Sequence, residues 1–209
     1  IFSVYIIIKK YKPMIQFKNL NQGTPYSIFI EKYNEALNSS QKSIEAVSIS
    51  SYNTNTNEIS SRYVNLKFII NDEFIFFTNY NSPKASDFNS HSQIAALFYW
   101  SSINVQIRIK GKIKKISNIF SQEYFSKRDL KKNALAISSY QSESINSYRD
   151  VKDNYKKSLK NDSLSICPEY WGGFSFVPYY FEFWEGHENR LNKRIVFEKK
   201  SNDWEKYYL

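Results

Sequence analysis

The chain has few of the residues that build disulfides and metal sites. Its 209 residues include one cysteine, Cys167, and two histidines, His91 and His187. A lone cysteine cannot form a disulfide within the chain, and these three residues lack the spacing of a zinc site. We therefore expect no internal disulfide, no structural metal and a reducing compartment, the cytoplasm.

Glycine and proline are also scarce, with five of each. No glycine-rich turn joins a strand to a helix, which excludes a Rossmann-type cofactor site. No Pro/Gly/Ser-rich linker divides the chain, and its length suits one sizeable core. We interpret residues 25–209 as a single domain that follows an N-terminal segment, residues 1–24.

Long hydrophobic runs are absent. The apolar residues 1–8 are interrupted by Ser3 and followed by Lys9 and Lys10, whereas a helix that spans a membrane needs about 20 apolar residues. The positive charge follows the apolar run, which is the wrong order for a signal peptide. We expect no membrane partner.

Positive charge is in excess, with a formal net charge of +9. Clustered basic residues would attract a nucleic-acid backbone, whereas a few of them would suit a small phosphorylated ligand. The lysines are scattered through every segment, and no nucleic-acid motif accompanies them. We interpret most of them as solvated surface and expect no nucleic-acid partner.

Several segments alternate as strands do. From Val105 to Ile113 the odd positions are mostly apolar and the even positions polar, and residues 46–51, 62–69 and 74–78 predict further strands. The nearly apolar run Ile94–Trp100 predicts burial on both faces or at an interface. Five or six antiparallel strands and three helices predict a mainly β fold, a small barrel with peripheral helices.

The three predicted helices differ in what they present. The first covers residues 25–37 with Thr24 as its cap, and the third begins near Ser142 and runs to about residue 159. The second begins at Ser121, and helical spacing aligns Tyr124, Arg128 and Lys132 on one side. Taken alone, that side is more simply interpreted as a solvated face.

The C-terminal stretch is the most informative. The glycine pair in Trp171-Gly172-Gly173-Phe174 indicates backbone that bends or approaches another group closely. Further on, strand periodicity puts Arg190, Asn192 and Arg194 on one face, which suits an anionic or hydrogen-bonding ligand. The alternative is an ordinary solvated strand face.

An ordered set of motifs resembles the pyridoxamine 5'-phosphate oxidase family. It comprises Arg62 through Lys67, Phe77-Thr78-Asn79, Ser82 with Lys84-Ala85, Trp100, Gln106, Gly111, Tyr124-Phe125 with Arg128, Gln141-Ser142, Trp171 through Phe174, Glu182 through Gly186, and Arg190 through Phe197. The resemblance covers most of the chain from about Pro25. It implies a Greek-key-like, FMN-binding split β-barrel that forms a homodimer with FMN at the interface. It also implies oxidation of pyridoxamine 5'-phosphate or pyridoxine 5'-phosphate to pyridoxal 5'-phosphate, with dioxygen as electron acceptor.

The resemblance assigns roles by position. It gives the FMN phosphate to Arg62 and Lys84. It gives the FMN ring to Lys67, Thr78, Gln106 and Trp184, the completion of the site across the dimer to Gln141, Ser142 and Arg194, and further FMN contacts to Tyr63, Val64, Asn65, Leu66 and Phe77. The substrate is assigned to Lys67, Tyr124, Arg128, Lys132, Arg190 and Asn192, of which Arg190 and Asn192 take the catalytic positions, with Arg190 over the pyridine ring.

Two of these assignments carry a geometric condition. Arg62 and Lys67 are five residues apart, so they face opposite sides of a regular strand. They can serve one ligand only if Arg62 lies off the strand's end or a bulge intervenes. A helix that starts at Ser142 would offer free backbone N–H groups to a phosphate.

Four positions depart from the family pattern, which has arginine at Pro83 and Val105, serine at Lys132 and histidine at Asn192. Lys132 can still donate to a phosphate, but Asn192 cannot titrate near neutrality. Two rivals therefore stay open: a split-barrel flavoenzyme with another substrate, such as a phenazine-pathway oxidase, and a non-catalytic protein that binds flavin or pyridoxal phosphate.

The family's N-terminal segment, which covers the substrate, has only a faint counterpart here, Lys9-Lys10-Tyr11. We expect residues 1–24 either to cover the substrate or to be partly disordered.

Overall fold

The structure is a computed structural model that describes residues 14–139, 142–160 and 163–209. These residues form nine strands and five helices. The strands are β1 (Gln16–Lys18), β2 (Ala46–Asn53), β3 (Glu58–Ile70), β4 (Glu73–Asn79), β5 (Gln93–Trp100), β6 (Val105–Lys115), β7 (Trp171–Glu185), β8 (Lys193–Lys200) and β9 (Asp203–Tyr208). The helices are α1 (Thr24–Asn38), α2 (Pro83–Ser90), α3 (Asn118–Ser126), α4 (Leu130–Ser138) and α5 (Tyr148–Ser158).

The strands close into a ring. Its order is β3, β2, β5, β6, β7 and β4, and β4 pairs with both β3 and β7 to close it. All pairs within the ring are antiparallel. Outside the ring, β8 and β9 extend the sheet from β7, and β1 lies parallel to β3. The predicted mainly β fold with peripheral helices is confirmed, and the predicted strand number is too low because β1, β8 and β9 lie outside the ring.

The ring encloses an aromatic core. On β6 the alternation is as predicted, since Val105, Ile107 and Ile109 are buried and the polar residues between them face outward. Helix α1 contributes Phe29, whose ring lies 5.3 Å from that of Phe74 in an edge-to-face contact. Such burial of large rings is the main stabilising contribution in a fold of this kind.

Strand β5 corrects one expectation. Its residues alternate between exposed and buried, so the strand is covered on one face in the single chain and not on both. Phe98 points into the core, whereas Leu97 and Tyr99 are 37% and 55% exposed. The outer face of β5 therefore presents apolar side chains, as the interface alternative requires.

Three helix predictions need correction. Helix α1 has Gly23 and not Thr24 at its N-cap position. Helix α3 begins earlier than predicted because the Ser117 hydroxyl accepts from the Phe120 N–H as its cap, and Ser121 lies inside the helix. Helix α5 begins at Tyr148, so Ser142 does not start a helix and supplies no helix N-terminus for a phosphate.

The predicted helical side at 124–132 is also interrupted. The Asp129 carboxylate accepts from the Lys132 N–H and caps a new helix, α4, so the chain turns between α3 and α4. A capping aspartate of this kind favours a helix start over helix continuation. Tyr124, Arg128 and Lys132 thus lie on α3, in the turn and on α4, respectively.

The glycine pair after Trp171 allows close approach within a strand and not a bend. A Cβ on Gly172 would lie 2.2 Å from the Tyr80 hydroxyl oxygen, and one on Gly173 would lie 2.3 Å from Ile116 Cδ1. Neither glycine has a positive φ. Side chains from β4's end and from the β6–α3 connection fill the space that these residues leave open.

Within the described ranges, no helix has the length and apolar character needed to cross a membrane.

Candidate functional site

Most of the predicted site residues of the first 130 positions meet in one cavity. The cavity has a volume of about 170 Å³ and is lined by Tyr63, Val64, Asn65, Lys67, Phe77, Thr78, Lys84, Tyr124, Arg128 and Trp171. All except Trp171 were predicted from the sequence. They come from β3, β4, α2, the α3–α4 region and the start of β7, which the closed ring brings together.

A bulge in β3 brings Lys67 to this cavity. The pairing of β3 with β4 shifts between Leu66 and Phe68, so β3 has one residue more than its partner there. Leu66 is fully buried in the core, and Lys67 lines the cavity. A bulge in β3 was one of the two conditions under which Arg62 and Lys67 could contact the same ligand.

Arg62 lies beside the cavity and not in its lining. Its guanidinium donates to the Asp87 carboxylate at 3.1 Å and to the Ser51 hydroxyl. Asp87 also accepts from Ser51 at 2.7 Å and from Asn53 at 3.0 Å. Burial opposes ionisation of Asp87, but these hydrogen bonds and the Arg62 charge hold its pKa below the ordinary value.

Lys84 is the most perturbed cation of the cavity. It follows the start of α2, is 9% exposed and donates to the Thr78 hydroxyl at 3.3 Å. Burial, and then the nearby charge of Arg62, lower the pKa of Lys84 to about 8, although Asp87 opposes the shift. A dianion placed here would be stabilised by charge-assisted hydrogen bonds.

Lys67 and Arg128 add positive charge on the other side. Burial lowers the pKa of Lys67, and the charges of Arg128 and Lys132 lower it further, against the opposing effect of Glu45. The Glu45 carboxylate lies 4.0 Å from the Lys67 ammonium. Lys132 itself is exposed and does not line the cavity. A buried lysine with like charges beside it favours a bound anion, which would offset the repulsion.

An aromatic wall completes the cavity. The rings of Phe77 and Tyr124 stack with centroids 4.1 Å apart, and those of Phe77 and Trp171 stack at 5.1 Å. The Arg128 guanidinium lies 5.2 Å from the centroid of the Trp171 ring. Trp171 was noted in its motif but not as a site residue, because its position against Phe77 depends on the pairing of β4 with β7.

Three of the remaining predicted residues form a second group. Gln106, Trp184 and Arg194 are cross-strand neighbours on β6, β7 and β8, and Gln106 lines a separate outer cavity of about 410 Å³. Arg194 donates to the nearly fully buried Glu182 at 2.7 Å, and Arg108 donates to the same carboxylate at 2.7 Å. Hydrogen bonds from Arg194 and Tyr180 outweigh burial and hold the pKa of Glu182 below its ordinary value.

Arg190 and Asn192 do not share a strand face with Arg194, which corrects the periodicity argument. Both lie in the turn before β8, and Arg190 has a φ of 60°. The Asn192 carboxamide oxygen accepts from the His187 N–H at 3.0 Å. Ser142 is exposed with a φ of 68°, and Gln141 lies outside the described residues. No group of acidic, His or Cys residues in the described part of the chain could hold a metal ion.

The fold is that of an FMN-binding split β-barrel. PhzG from Burkholderia lata 383, solved in complex with tetrahydrophenazine-1-carboxylic acid, is similar with a TM-score of 0.81 and 22% identity over 90% of this chain and 92% of that chain. A pyridoxamine 5'-phosphate oxidase-related, FMN-binding protein from Nostoc punctiforme PCC 73102 is similar with a TM-score of 0.74 and 13% identity, over 90% of this chain and 99% of that chain.

Sequence comparisons identify the family. Residues 31–157 match the family described as "Pyridoxamine 5'-phosphate oxidase", and residues 171–209 match "Pyridoxine 5'-phosphate oxidase C-terminal dimerisation region". The pyridoxine/pyridoxamine 5'-phosphate oxidase of Leptospira biflexa serovar Patoc is 36% identical over 183 residues, which is 86% of this chain and 85% of the relative. That of Colwellia psychrerythraea is 36% identical over 184 residues, which is 87% of this chain and 84% of the relative.

The chain belongs to the pyridoxamine 5'-phosphate oxidase family. Membership of this family supports the prediction that the protein is an oxidoreductase with a flavin cofactor. The match to the dimerisation region supports a homodimer.

Proposed function

We propose that the protein oxidises pyridoxamine 5'-phosphate, pyridoxine 5'-phosphate or both to pyridoxal 5'-phosphate, with FMN as cofactor and dioxygen as electron acceptor. The observation that carries this proposal is the convergence of Lys67, Tyr124 and Arg128 in one cavity beside Lys84.

The donor set fits a flavin nucleotide. Lys84 and Arg62 are cations with the Thr78 hydroxyl beside Lys84, which suits a phosphate. Lys67 and the 63–66 segment of β3 would hold the ring system from the other side. Bound FMN would supply a hydride acceptor that returns its electrons to dioxygen. The protein's part is to hold the two ligands against each other and exclude water.

The substrate's phosphate would lie against Lys67, Tyr124 and Arg128. Tyr124 provides a hydroxyl donor, and burial raises its pKa, against the opposing charge of Arg128, so the phenol keeps its proton at neutral pH. Lys132 adds charge from outside the lining, as its effect on Lys67 indicates. Each hydrogen bond from a cation to phosphate is worth about 1.5–3 kcal/mol.

The second group of residues supports a site shared between two chains. Gln106, Trp184 and Arg194 do not line the cavity of their own chain. A cavity of about 170 Å³ encloses only part of a nucleotide and a substrate together. We infer that a partner subunit contributes these residues, with the apolar outer face of β5 in the interface.

One observation favours a rival. The Asn192 side chain is engaged by the turn that contains it and cannot exchange a proton near neutrality. A protein that binds flavin without this oxidation, or a flavoenzyme with another substrate, would need no titrating group there.

A visible absorption spectrum and an oxygen-consumption assay test the proposal. The purified protein, supplied with FMN, should be yellow and should consume dioxygen with pyridoxamine 5'-phosphate but much more slowly with pyridoxamine, the matched control without phosphate. Flavin binding without turnover of the phosphorylated amine would favour the two rival hypotheses. Failure to bind FMN would exclude both enzyme hypotheses, the oxidase of B6 vitamers and the flavoenzyme with another substrate.

A further inference from the structure

Asn133 is a buried side chain with a fixed orientation next to the cavity. It is fully buried, and its Nδ2 donates to the backbone carbonyls of Phe125 and Leu164, each at 2.9 Å. Both protons of the amide are therefore used by carbonyl groups. The carboxamide oxygen must point the other way, where it accepts from the Arg128 guanidinium at 3.4 Å.

Trp171 restrains the same guanidinium from another side. Its indole ring lies 5.2 Å from the guanidinium carbon of Arg128. The ring is held by a stacking contact with Phe77 at 5.1 Å and an edge-to-face contact with Phe125 at 4.8 Å. A rigid aromatic face and a fixed acceptor thus define where Arg128 lies, although its backbone is in a turn.

Both partners of Arg128 are neutral. Among the described residues, no carboxylate lies within ion-pair distance of its guanidinium, and the Asp129 charge acts only through space. A neutral acceptor restrains a guanidinium without neutralising it, whereas a carboxylate would compete with a phosphate for the same donors. The arrangement keeps the positive charge available to a ligand.

We propose that Asn133 and Trp171 are positioning residues that hold the Arg128 guanidinium toward the phosphate of the ligand. This inference rests on the proposed function, in which Arg128 binds that phosphate. Neither residue was predicted from the sequence. Asn133 needs to touch no ligand to act, since its effect is transmitted through Arg128.

The test compares equilibrium binding of pyridoxal 5'-phosphate and of pyridoxal, which lacks the phosphate, to the FMN-loaded protein. Asn133→Ala and Trp171→Leu should each lower the affinity for pyridoxal 5'-phosphate by about 3- to 10-fold, as expected for loss of one restraining contact. For Asn133→Ala, whose side chain does not line the cavity, affinity for pyridoxal and for FMN should change little. Trp171→Phe, which keeps an aromatic face, should restore most of the loss.

A double-mutant cycle separates positioning from general damage. In an Arg128→Ala background, Asn133→Ala should no longer lower the affinity for pyridoxal 5'-phosphate, because the effect of Asn133 acts through the missing guanidinium. If Asn133→Ala does not fold, the Trp171→Leu and Trp171→Phe pair in both backgrounds decides the question.

Two outcomes would overturn the inference. One is an unchanged preference for pyridoxal 5'-phosphate over pyridoxal in the single variants. The other is an equal loss in the presence and absence of Arg128. If the unmutated protein binds pyridoxal as tightly as pyridoxal 5'-phosphate, the proposed function fails as well, and this result is distinct from the other two.

Discussion

Replacement of Arg128 tests the proposal that this residue binds the phosphate of the substrate. Its guanidinium lines the cavity, and its partners among the described residues are weak ones, a hydrogen bond of 3.4 Å to Asn133 and the ring of Trp171 at 5.2 Å. Arg128→Ala therefore removes about 0.5–1.5 kcal/mol of stabilising contact. A charge-assisted bond to a phosphate dianion is worth more, about 1.5–3 kcal/mol.

This difference sets the expected size of the effect. Loss of about 1.5–3 kcal/mol corresponds to about a 10- to 150-fold weaker affinity. We expect Arg128→Ala to raise KM for pyridoxamine 5'-phosphate by at least about tenfold, while the Kd of FMN changes little. Steady-state oxygen consumption measures the first quantity, and quenching of flavin fluorescence on titration measures the second.

Lys132→Ser is the matched control. Lys132 is exposed and outside the cavity lining, and it acts on Lys67 through space. Its replacement should raise KM by less than about threefold, since screened charges contribute little. If Arg128→Ala leaves KM unchanged, or weakens FMN as much as the substrate, Arg128 does not bind the substrate's phosphate.

Three further predictions concern charge. Glu182→Ala should lower the free energy of unfolding by about 1–3 kcal/mol in urea titrations, because Arg108 and Arg194 lose their shared carboxylate; an unchanged unfolding midpoint would show that this pair is not stabilising. Asp87 and Glu182 have depressed pKa values, so their contribution is present above the unfolded pKa of about 4 and is lost as pH falls through the folded pKa. Tm should accordingly fall steeply below about pH 4, and Asp87→Asn should flatten that fall. Burial lowers the pKa of Lys84 to about 8, so FMN affinity should decline above pH 8 as Lys84 loses its proton; riboflavin, which has no phosphate, should show no such decline, and equal declines would exclude Lys84 as a phosphate ligand.

The barrel strands were largely predictable because their signal is local. Alternation along residues 105–113 reports one buried face directly, and the hairpin of β3 and β4 follows from two apolar runs with Asn71-Asp72 between them. The β5 prediction was less secure, because an apolar run does not reveal whether its outer face is covered by the same chain. Residue patterns report burial within a segment and not its partner.

The site was predictable where motifs supplied the long-range information. The resemblance brought Lys67, Thr78 and Lys84 together, and the structure places them in one cavity. Helical periodicity failed at Arg128, because the capping of α4 by Asp129 outweighed continuation of α3. Asn133 and Trp171 escaped prediction because their orientation depends on backbone carbonyls and on a strand pairing far away in the sequence.

The anaerobic reaction of the FMN-loaded protein with pyridoxamine 5'-phosphate tests the central claim most directly. We expect the visible flavin absorbance to bleach on mixing, to return on admission of dioxygen, and to yield about one pyridoxal 5'-phosphate per flavin in each cycle. Pyridoxamine should bleach it far more slowly. The contrary result is a flavin that stays fully oxidised although the protein binds the phosphorylated amine. It would contradict the assignment of this chain as an oxidase of phosphorylated B6 vitamers.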